Sequence, residues 1–417
     1  MYKKEIGLFM LLRFSCKNFK SFYDEVSIDL TASAIKEHKD SLININNINI
    51  LPVAAIFGAN GSGKSNIFDA LSVMRSEVYG NSSKEVRDAY ITPFYFESSS
   101  RTSPSEFEIC IYSEELKKEF RYGFSRNSKE VFEEWLFSKT FSKTPTVKEK
   151  LIYYRKKGEK IQSDLTDGNK ELAEIQFVST VTEDDELIIT NIGRRDNVDY
   201  GYIYWWFMNY INVINYSKIN EESSYKNQYL LSDLYDNKDN LKEIEKIIKI
   251  VDPAIDGLIV KKELDYNMND NYMIYSIHNG DNDQKIEIPF SAESCGTKKM
   301  IYLAWYLLYA LFNGRTLFID ELDSKLHPLL LRYIVKLFKN KELNKIGGQL
   351  IFSSHNLICL DSSDLRRDEI WFTEKQNQKS TMFSLYDFKE ESIRKDLDFG
   401  KHYLSGRFGA IPFNEEE

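Results

Sequence analysis

Short apolar runs alternate with longer stretches of helical periodicity over much of the chain. Residues 53–57 (VAAIF) end in a glycine loop, as a buried strand does, and helical patterns carry apolar residues at spacings of three and four. From residue 53 onwards, the elements with the clearest patterns are strand 53–57, helix 64–76, helix 298–312, strand 316–319, helix 327–338 and strand 350–352. Strands that alternate with helices favour a parallel sheet covered by helices.

Other segments predict a second kind of structure. Residues 11–30 suggest two short strands around a turn at 17–21, and residues 106–125 predict an antiparallel hairpin. Residues 239–251 have helical spacing, with Pro253 as the stop. Residues 202–216 are strongly aromatic, and we interpret them as core. The fold class we predict is therefore α/β, with a mixed or parallel sheet, an antiparallel β lobe and a helical inserted lobe.

The strongest chemical signal is the loop after the first buried strand, which matches GxxxxGK[ST] completely. Glycines let the backbone wrap closely around phosphate oxygens and aim its N–H groups at them. The residues predicted to bind the nucleotide here are Gly58, Ala59, Asn60, Gly61, Ser62, Gly63, Lys64, Ser65 and Asn66. Lys64 is expected to reach the β- and γ-phosphates of ATP, and Ser65 to hold Mg²⁺. The helix that begins at Lys64 adds its positive dipole end.

The strand 316–319 ends in two acids, as a Walker B strand does. Asp320 is predicted to orient Mg²⁺ through water, and Glu321 to accept a proton from the attacking water. Strand 350–352 runs into Ser353-Ser354-His355, where His355 is predicted to contact the γ-phosphate. We therefore predict Lys64, Glu321 and His355 as the catalytic residues of a Mg²⁺-dependent ATPase, with ATP and Mg²⁺ as its ligands.

Ser291–Thr297 precedes the apolar helix that leads to the Walker B strand. Ser294, Gly296 and Thr297 at a helix N-terminus would make an anion site. A plain helix cap is the alternative interpretation.

These motifs together resemble an SMC/RecF-type ABC ATPase. The segments that carry the resemblance are NFKSF at 18–22, the glycine loop, ESCGT at 293–297, FIDELDSKLHP at 318–328 and SSHN at 353–356. The resemblance implies that 293–297 acts as the signature motif, although the LSGGQ form is absent, and that it closes over the ATP of a second copy. Asp323 matches the D-loop acid, which in that family lies across the dimer interface. The predicted assembly is a homodimer or a higher oligomer.

A narrower resemblance points to AAA-type ABC ATPases of bacterial abortive-infection and antiphage loci, similar to RloA and to the ATPase of PARIS systems. It rests on TPFYFE at 92–97, RRDEIWF at 366–372 and YLSGRFGAIP at 403–412. It implies infection sensing and control of a separate effector, such as a nuclease or toxin. We find no nuclease motif in this chain. NFKSF leaves open whether Met1 or Met10 is the native start.

Three segments follow from the motif positions. Residues 1–135 are predicted as the N-terminal half of the ATPase domain, 136–285 as an inserted β/helical lobe of unknown role, and 286–417 as the C-terminal half. No long heptad run is visible, so a coiled-coil arm is expected to be absent or very short.

Charge, apolar runs and cysteine usage narrow the classes of protein to which the chain could belong. A net charge of −9 argues against a uniformly basic nucleic-acid binder, although a local basic groove for DNA stays open. The longest apolar run has 13 residues, at 300–312, against the ~20 that cross a bilayer. Four scattered cysteines without a CxxC pair indicate reduced thiols and a cytoplasmic protein. A RecF-like DNA-maintenance ATPase is the main alternative; a transporter subunit, a ring motor and a non-catalytic ATP-binding scaffold are others.

Overall fold

The structure is a computed structural model. It describes residues 7–411 except 47, 81–82, 141–147, 167, 196–199, 220–225, 266, 325 and 389–397. Lys325, Pro412 and residues 1–6 of the proposed N-terminal extension lie outside the described residues.

The regular elements are numbered in chain order. The strands are β1 (Phe9–Lys17), β2 (Val26–Asp29), β3 (Ile43–Ile45), β4 (Ile48–Ile50), β5 (Val53–Gly58), β6 (Ser105–Ser113), β7 (Lys118–Arg126), β8 (Val131–Thr140), β9 (Lys150–Lys156), β10 (Ile211–Asn215), β11 (Ile255–Leu264), β12 (Asp270–Asn279), β13 (Lys285–Pro289), β14 (Thr316–Asp320), β15 (Gln349–Ser353), β16 (Ile370–Gln376) and β17 (Lys379–Ser384). The α-helices are α1 (Lys64–Tyr79), α2 (Lys84–Tyr90), α3 (Lys170–Val181), α4 (Ile188–Gly193), α5 (Gly201–Asn209), α6 (Gln228–Asp236), α7 (Lys238–Val251), α8 (Cys295–Asn313), α9 (Pro328–Lys339) and α10 (Phe399–Leu404).

A six-stranded sheet lies at the centre of the fold, in the order β10-β14-β15-β5-β16-β17. Its strands pair in parallel except β17, which is antiparallel to β16. Strands β5, β14 and β15 are buried along their whole length, because both faces of the sheet are covered. Ile56 on β5 packs into one hydrophobic core and Phe57 into the other, as the two-residue period of a strand requires. The predicted α/β class and parallel sheet are confirmed.

A second six-stranded sheet, β2-β1-β6-β7-β8-β9, is antiparallel throughout. It contains both predicted strand pairs, the one within 11–30 and the hairpin at 106–125. Its apolar face packs in one core with Ile67 and Leu71 of α1. The helix that follows the glycine loop is therefore clamped between the two sheets.

The middle of the chain is distributed over several parts of the fold. Strand β9 joins the antiparallel sheet, β10 is an edge strand of the central sheet, and β11, β12 and β13 form a sheet of their own. Helix α7 agrees with the predicted helix at 239–251. The three-segment division of the chain stays a prediction. Trp206 and Phe207 of the aromatic block are fully buried.

The lengths of the helices bear on two features considered above, a membrane span and a coiled-coil arm. None of the helices in the described ranges is both long and apolar enough to span a bilayer. The longest of them is α8, with 19 residues, so the part of the chain that the structure describes contains no coiled-coil arm.

Candidate functional site

Three neighbouring parallel strands carry the predicted motifs at their carboxyl ends. Strand β15 lies between β14 and β5. Since parallel strands end at the same edge of a sheet, Gly58, Ser353 and Asp320 end side by side. Open α/β sheets bind ligands at this edge. The glycine loop, the acid pair and the His355 segment, far apart in sequence, therefore surround one place.

The backbone of the glycine loop has conformations that glycine alone adopts easily. Gly58 has φ +152°, and a Cβ there would lie 2.4 Å from the Thr373 carbonyl oxygen. Gly63 has φ +110°, and a Cβ there would lie 2.8 Å from Ser380 Oγ. Asn60 and Gly61 are exposed, while Ala59, Ser65 and Asn66 are half-buried. The loop is thus narrow at its base and open at its tip, as a phosphate site requires.

Lys64 begins α1, and its side chain is buried against its own loop. Its Nζ donates to the carbonyl oxygens of Gly58 at 2.6 Å and Ala59 at 2.9 Å. Burial lowers the pKa of Lys64 to about 8, although the carboxylates of Asp320, Asp323 and Glu321 act in the opposite direction. The electrostatic influence of these acids shows that the structure brings the predicted Walker A lysine and the Walker B region together.

Asp320 is 2% exposed, and each of its carboxylate oxygens has a donor. Ser353 Oγ donates to Oδ1 at 2.6 Å, and Asn215 Nδ2 donates to Oδ2 at 3.0 Å. Burying a carboxylate costs free energy unless it is hydrogen-bonded. The two hydrogen-bond donors come from the ends of the neighbouring strands β15 and β10. These two donors fix the orientation of the predicted metal-binding acid.

Glu321 follows β14 in the left-handed region, with φ +55°. Its backbone N–H donates to Ser353 Oγ at 2.7 Å. A residue other than glycine held in this region costs of the order of 1–3 kcal/mol, and such strain concentrates at functional sites. The strained turn therefore begins directly after Asp320, at the residue predicted to act as the general base.

Asp323 binds the turn that follows β15. Its Oδ2 accepts from the backbone N–H groups of His355 at 3.0 Å and Asn356 at 2.9 Å. Its Oδ1 is buried and has no hydrogen-bond partner among the described residues. Asp323 therefore holds the exposed His355 in place, and this contact within the chain was not foreseen from the sequence.

The segment 294–297 forms the start of α8. Ser294 Oγ accepts from the Thr297 N–H at 3.1 Å, so the predicted cap bond is present. Ser294 and Gly296 are exposed, whereas Thr297 is buried. No hydrogen bond of the described residues joins these three to the glycine loop of the same chain. The start of α8 is thus exposed at Ser294 and Gly296, and the hydrogen bonds that these three residues make within the described ranges are not with the glycine loop.

Several residues of the site were missed by the sequence analysis. Asn215 ends an aromatic-rich run, and a polar residue at a strand end was the one available signal. Thr373 Oγ1 lies 2.6 Å from Ser62 Oγ, and Ser21 Oγ accepts from Asn66 Nδ2 at 2.6 Å. Ser21 belongs to the NFKSF segment, so that opening motif lies against the glycine loop. Ala410 also contacts the loop, through its carbonyl oxygen.

Comparison with known proteins follows this geometry. A family model described as "AAA domain, putative AbiEii toxin, Type IV TA system" matches residues 53–361. No curated protein matches the sequence. An Smc head bound to the C-winged helix domain of ScpA is similar, with 15% identity, a TM-score of 0.48, and coverage of 92% of this chain and 99% of that one. An Smc head domain with a coiled coil and joint, derived from Pyrococcus yayanosii, has 11% identity, a TM-score of 0.47, and coverage of 96% and 100%.

The family match covers most of the chain and includes the glycine loop, the 294–297 segment, the acid pair and His355. The RloA-like and PARIS-like resemblance is finer than this match and stays a prediction. The chain belongs to this family of AAA domains, and it is a P-loop ATPase of that family.

Proposed function

We propose that this chain is a Mg²⁺-dependent ATPase whose two ATP sites are completed when two copies pair face to face. The observation that carries the proposal is a division within one chain. Lys64, Asp320 and Glu321 lie at one edge of the central sheet, while Ser294 and Gly296 at the exposed start of α8 make no hydrogen bond to that edge among the described residues. A second copy supplies the missing half.

The residues present fit a nucleotide with its metal ion. Backbone N–H groups of the glycine loop bind the phosphates, and Lys64 leaves the carbonyl oxygens of its own loop to reach the β- and γ-phosphates. The described residues contain no group of three or more His, Cys, Asp or Glu side chains suited to hold a metal. Ser65 and the buried, doubly hydrogen-bonded Asp320 would hold Mg²⁺ together with phosphate oxygens and water. When bound, Mg²⁺ neutralises phosphate charge.

Two residues act on the transferred group. Glu321 accepts the proton of the attacking water as general base. His355, exposed at the end of β15 and held through its backbone by Asp323, contacts the γ-phosphate and reports its presence. Loss of that phosphate removes the contact, which couples hydrolysis to the arrangement of this turn.

Closure of the dimer involves two features of the chain, the start of α8 and Asp323. Ser294 and Gly296 present a helix start with positive partial charge to the γ-phosphate held by the other copy. Asp323, which holds the turn of His355 through its Oδ2, is the predicted D-loop acid and lies beside the other copy at the interface. Each ATP is then bound by one copy and covered by the other.

The cellular role we propose is control of a separate effector, a nuclease or toxin, in bacterial antiphage defence. The family description names an AbiEii toxin and a type IV toxin–antitoxin system, which supports this choice. A RecF-like ATPase that binds duplex DNA is the second candidate, and the net charge of −9 counts against it. Co-purification of the neighbouring gene product supports the first, and salt-dependent duplex affinity with a steep slope supports the second.

The central test is replacement of the general base. Glu321→Gln keeps size and polarity but removes the base, so ATP binding should persist, turnover should fall by roughly 100-fold or more, and ATP-bound dimers should accumulate. Size-exclusion chromatography with light scattering measures the dimer. Lys64→Ala is the matched control, and it should abolish both binding and dimerisation. A Glu321→Gln protein that binds ATP but stays monomeric at all concentrations would contradict the paired model.

A further inference from the structure

The C-terminal segment Phe399–Ile411, which we call the tail, reaches the glycine loop. Ala59 N–H donates to the Ala410 carbonyl oxygen at 3.1 Å. Tyr403 Oη–H donates to the same oxygen at 2.9 Å. The Ala410 carbonyl oxygen thus accepts two hydrogen bonds. One comes from the second residue of the glycine loop, and the other comes from Tyr403 of α10. This segment includes most of YLSGRFGAIP, which the proposed function does not use.

The tail is held firmly where it meets the loop. The Tyr403 ring stacks on Phe372 of β16, with centroids 5.4 Å apart and planes 9° apart. The Phe408 ring also packs against Phe372, with centroids 5.9 Å apart. Ala410 N–H donates to Glu374 Oε1 at 3.1 Å. Ala410 is 1% exposed with φ +59°, a conformation that needs support from its surroundings.

Strand β16 contacts the loop at a second point. Thr373, next to Glu374, bonds Ser62 through the two hydroxyl groups. The glycine loop is thus tied at residue 59 by the tail and at residue 62 by β16, on either side of the exposed Asn60 and Gly61. A loop that is ordered before binding does not pay its ordering entropy when the ligand arrives.

We propose that the tail is a built-in part of the nucleotide site, in which the Ala410 carbonyl preorganises the glycine loop for triphosphate. Tyr403 and Glu374 are positioning residues, because they act through Ala410 and do not touch the nucleotide. The inference rests on ATP binding at the loop but not on dimerisation. Linkage requires the reverse effect as well: bound nucleotide stabilises the docked tail by the same factor by which the tail favours binding.

The first experiment measures the affinity of a non-hydrolysable ATP analogue. Tyr403→Phe keeps the stacked ring and removes the hydroxyl, and Glu374→Ala removes the acceptor for Ala410. Each should raise Kd about three- to tenfold, the equivalent of one net hydrogen bond, and the double variant should raise it further. Glu374→Gln retains an acceptor and should stay near the parent. Tyr386→Phe, at an exposed tyrosine, is the matched control.

The effect of bound nucleotide on the docking of the tail can be measured in the unmutated protein. Arg407 is exposed on the tail, so trypsin cleavage there reports undocking. The analogue should slow this cleavage in the parent, with a much smaller effect in the double variant. Amide exchange of the peptide containing Ala59 should be faster in the variants. If the double variant fails to fold, the single variants and the parent's cleavage decide.

The outcomes separate the two proposals. Variants that exchange faster at Ala59 yet bind the analogue with the parental Kd would overturn the role of the tail and leave the ATPase proposal intact. Cleavage at Arg407 that nucleotide does not slow would do the same. A parent protein that binds no ATP analogue would overturn both.

Discussion

Asn215 shows how a single amide can orient a buried carboxylate, that of the predicted metal-binding Asp320. It ends β10, 105 positions before Asp320, and donates to Oδ2 of that acid, while Ser353 donates to Oδ1. With one donor removed, a carboxylate that is 2% exposed keeps a lone pair without a partner, and its orientation is no longer fixed from both sides.

We therefore expect Asn215→Ala to reduce ATP turnover by about tenfold, the equivalent of about 1.4 kcal/mol of lost positioning. Nucleotide affinity without metal should hardly change, because the glycine loop is untouched. The Mg²⁺ concentration for half-maximal turnover should rise. Asn212→Ala, on the same strand, is the control. Equal Mg²⁺ dependence in parent and variant would contradict the role of Asn215.

If Lys64 binds the triphosphate as proposed, ATP binding is expected to weaken at alkaline pH. Burial lowers the pKa of its ammonium group to about 8, so the free protein loses this charge as pH rises through that value. The triphosphate favours the charged form and must take up the proton again. Below about pH 7 the group is already protonated, and it adds no pH dependence there.

ATP affinity should thus fall by about fivefold between pH 8 and pH 9, and by up to about tenfold per pH unit at higher pH, where one proton is taken up per binding event. Lys64→Arg is the control, because a guanidinium stays charged over this range, and its binding curve should be flat even if weaker. Isothermal titration at several pH values measures both. A parent whose affinity is constant from pH 7 to pH 9.5 would show that Lys64 does not set it.

At the scale of elements, the start of α8 is fixed by a different sheet. Glu293, the residue before the Ser294 cap, accepts from the buried hydroxyl of Ser276 and lies 2.7 Å from His278 Nε2. Both partners are on β12. Thr297 Oγ1 also contacts Asp252 Oδ2, just after α7, at 3.4 Å. The outward helix start is therefore held by the three-stranded sheet and by α7.

Glu293→Ala should weaken the ATP-trapped dimer of the Glu321→Gln protein by about tenfold, since it removes contacts that hold the helix start. Glu293→Gln keeps an acceptor and should weaken it less. ATP affinity of the monomer should be unchanged in both. Glu287→Ala, exposed on the adjacent β13, serves as control. Sedimentation velocity with ATP gives the dimer fraction, and parental values for Glu293→Ala would argue against this role.

At the scale of the whole molecule, a buried ion pair joins helix α1, which lies between the two large sheets, to the antiparallel sheet. Glu77 near the end of α1 contacts Arg126 at the end of β7, and both side chains are almost completely buried. Tyr90 and Arg87 also contact Glu77. Burial lowers the pKa of Arg126 to about 10, and the carboxylate of Asp185 acts in the opposite direction.

Glu77→Ala should lower the free energy of unfolding by about 3–5 kcal/mol, because it leaves the Arg126 charge buried without its main partner. The double variant Glu77→Leu with Arg126→Met should recover most of this loss. Thermal and urea unfolding measure the change. Lys246→Ala, in an exposed ion pair on α7, should have no measurable effect. A Glu77→Ala protein as stable as its parent would contradict a stabilising role for the contact of Glu77 with Arg126.

The pattern of apolar and polar residues does not identify every strand of this chain. Residues 135–200 could not be assigned from the sequence. Strand β8, which runs into this range, illustrates the reason through Glu134. It is a charged residue within β8, completely buried, and it accepts from the N–H groups of Ile188 and Ile189 at the start of α4. A carboxylate that serves a distant helix interrupts the apolar pattern of its own strand, so periodicity cannot identify that strand.

The sequence by itself determined the strands and helices with strong periodicity, the glycine loop and the acid pair, because their signals lie within a few neighbouring residues. The tertiary structure alone decided that β15 lies between β14 and β5, that Asn215 orients Asp320, and that the tail reaches Ala59. These contacts depend on strand order and on turns between distant segments. Their free energy comes from burial shared by the whole fold, and no local pattern records it.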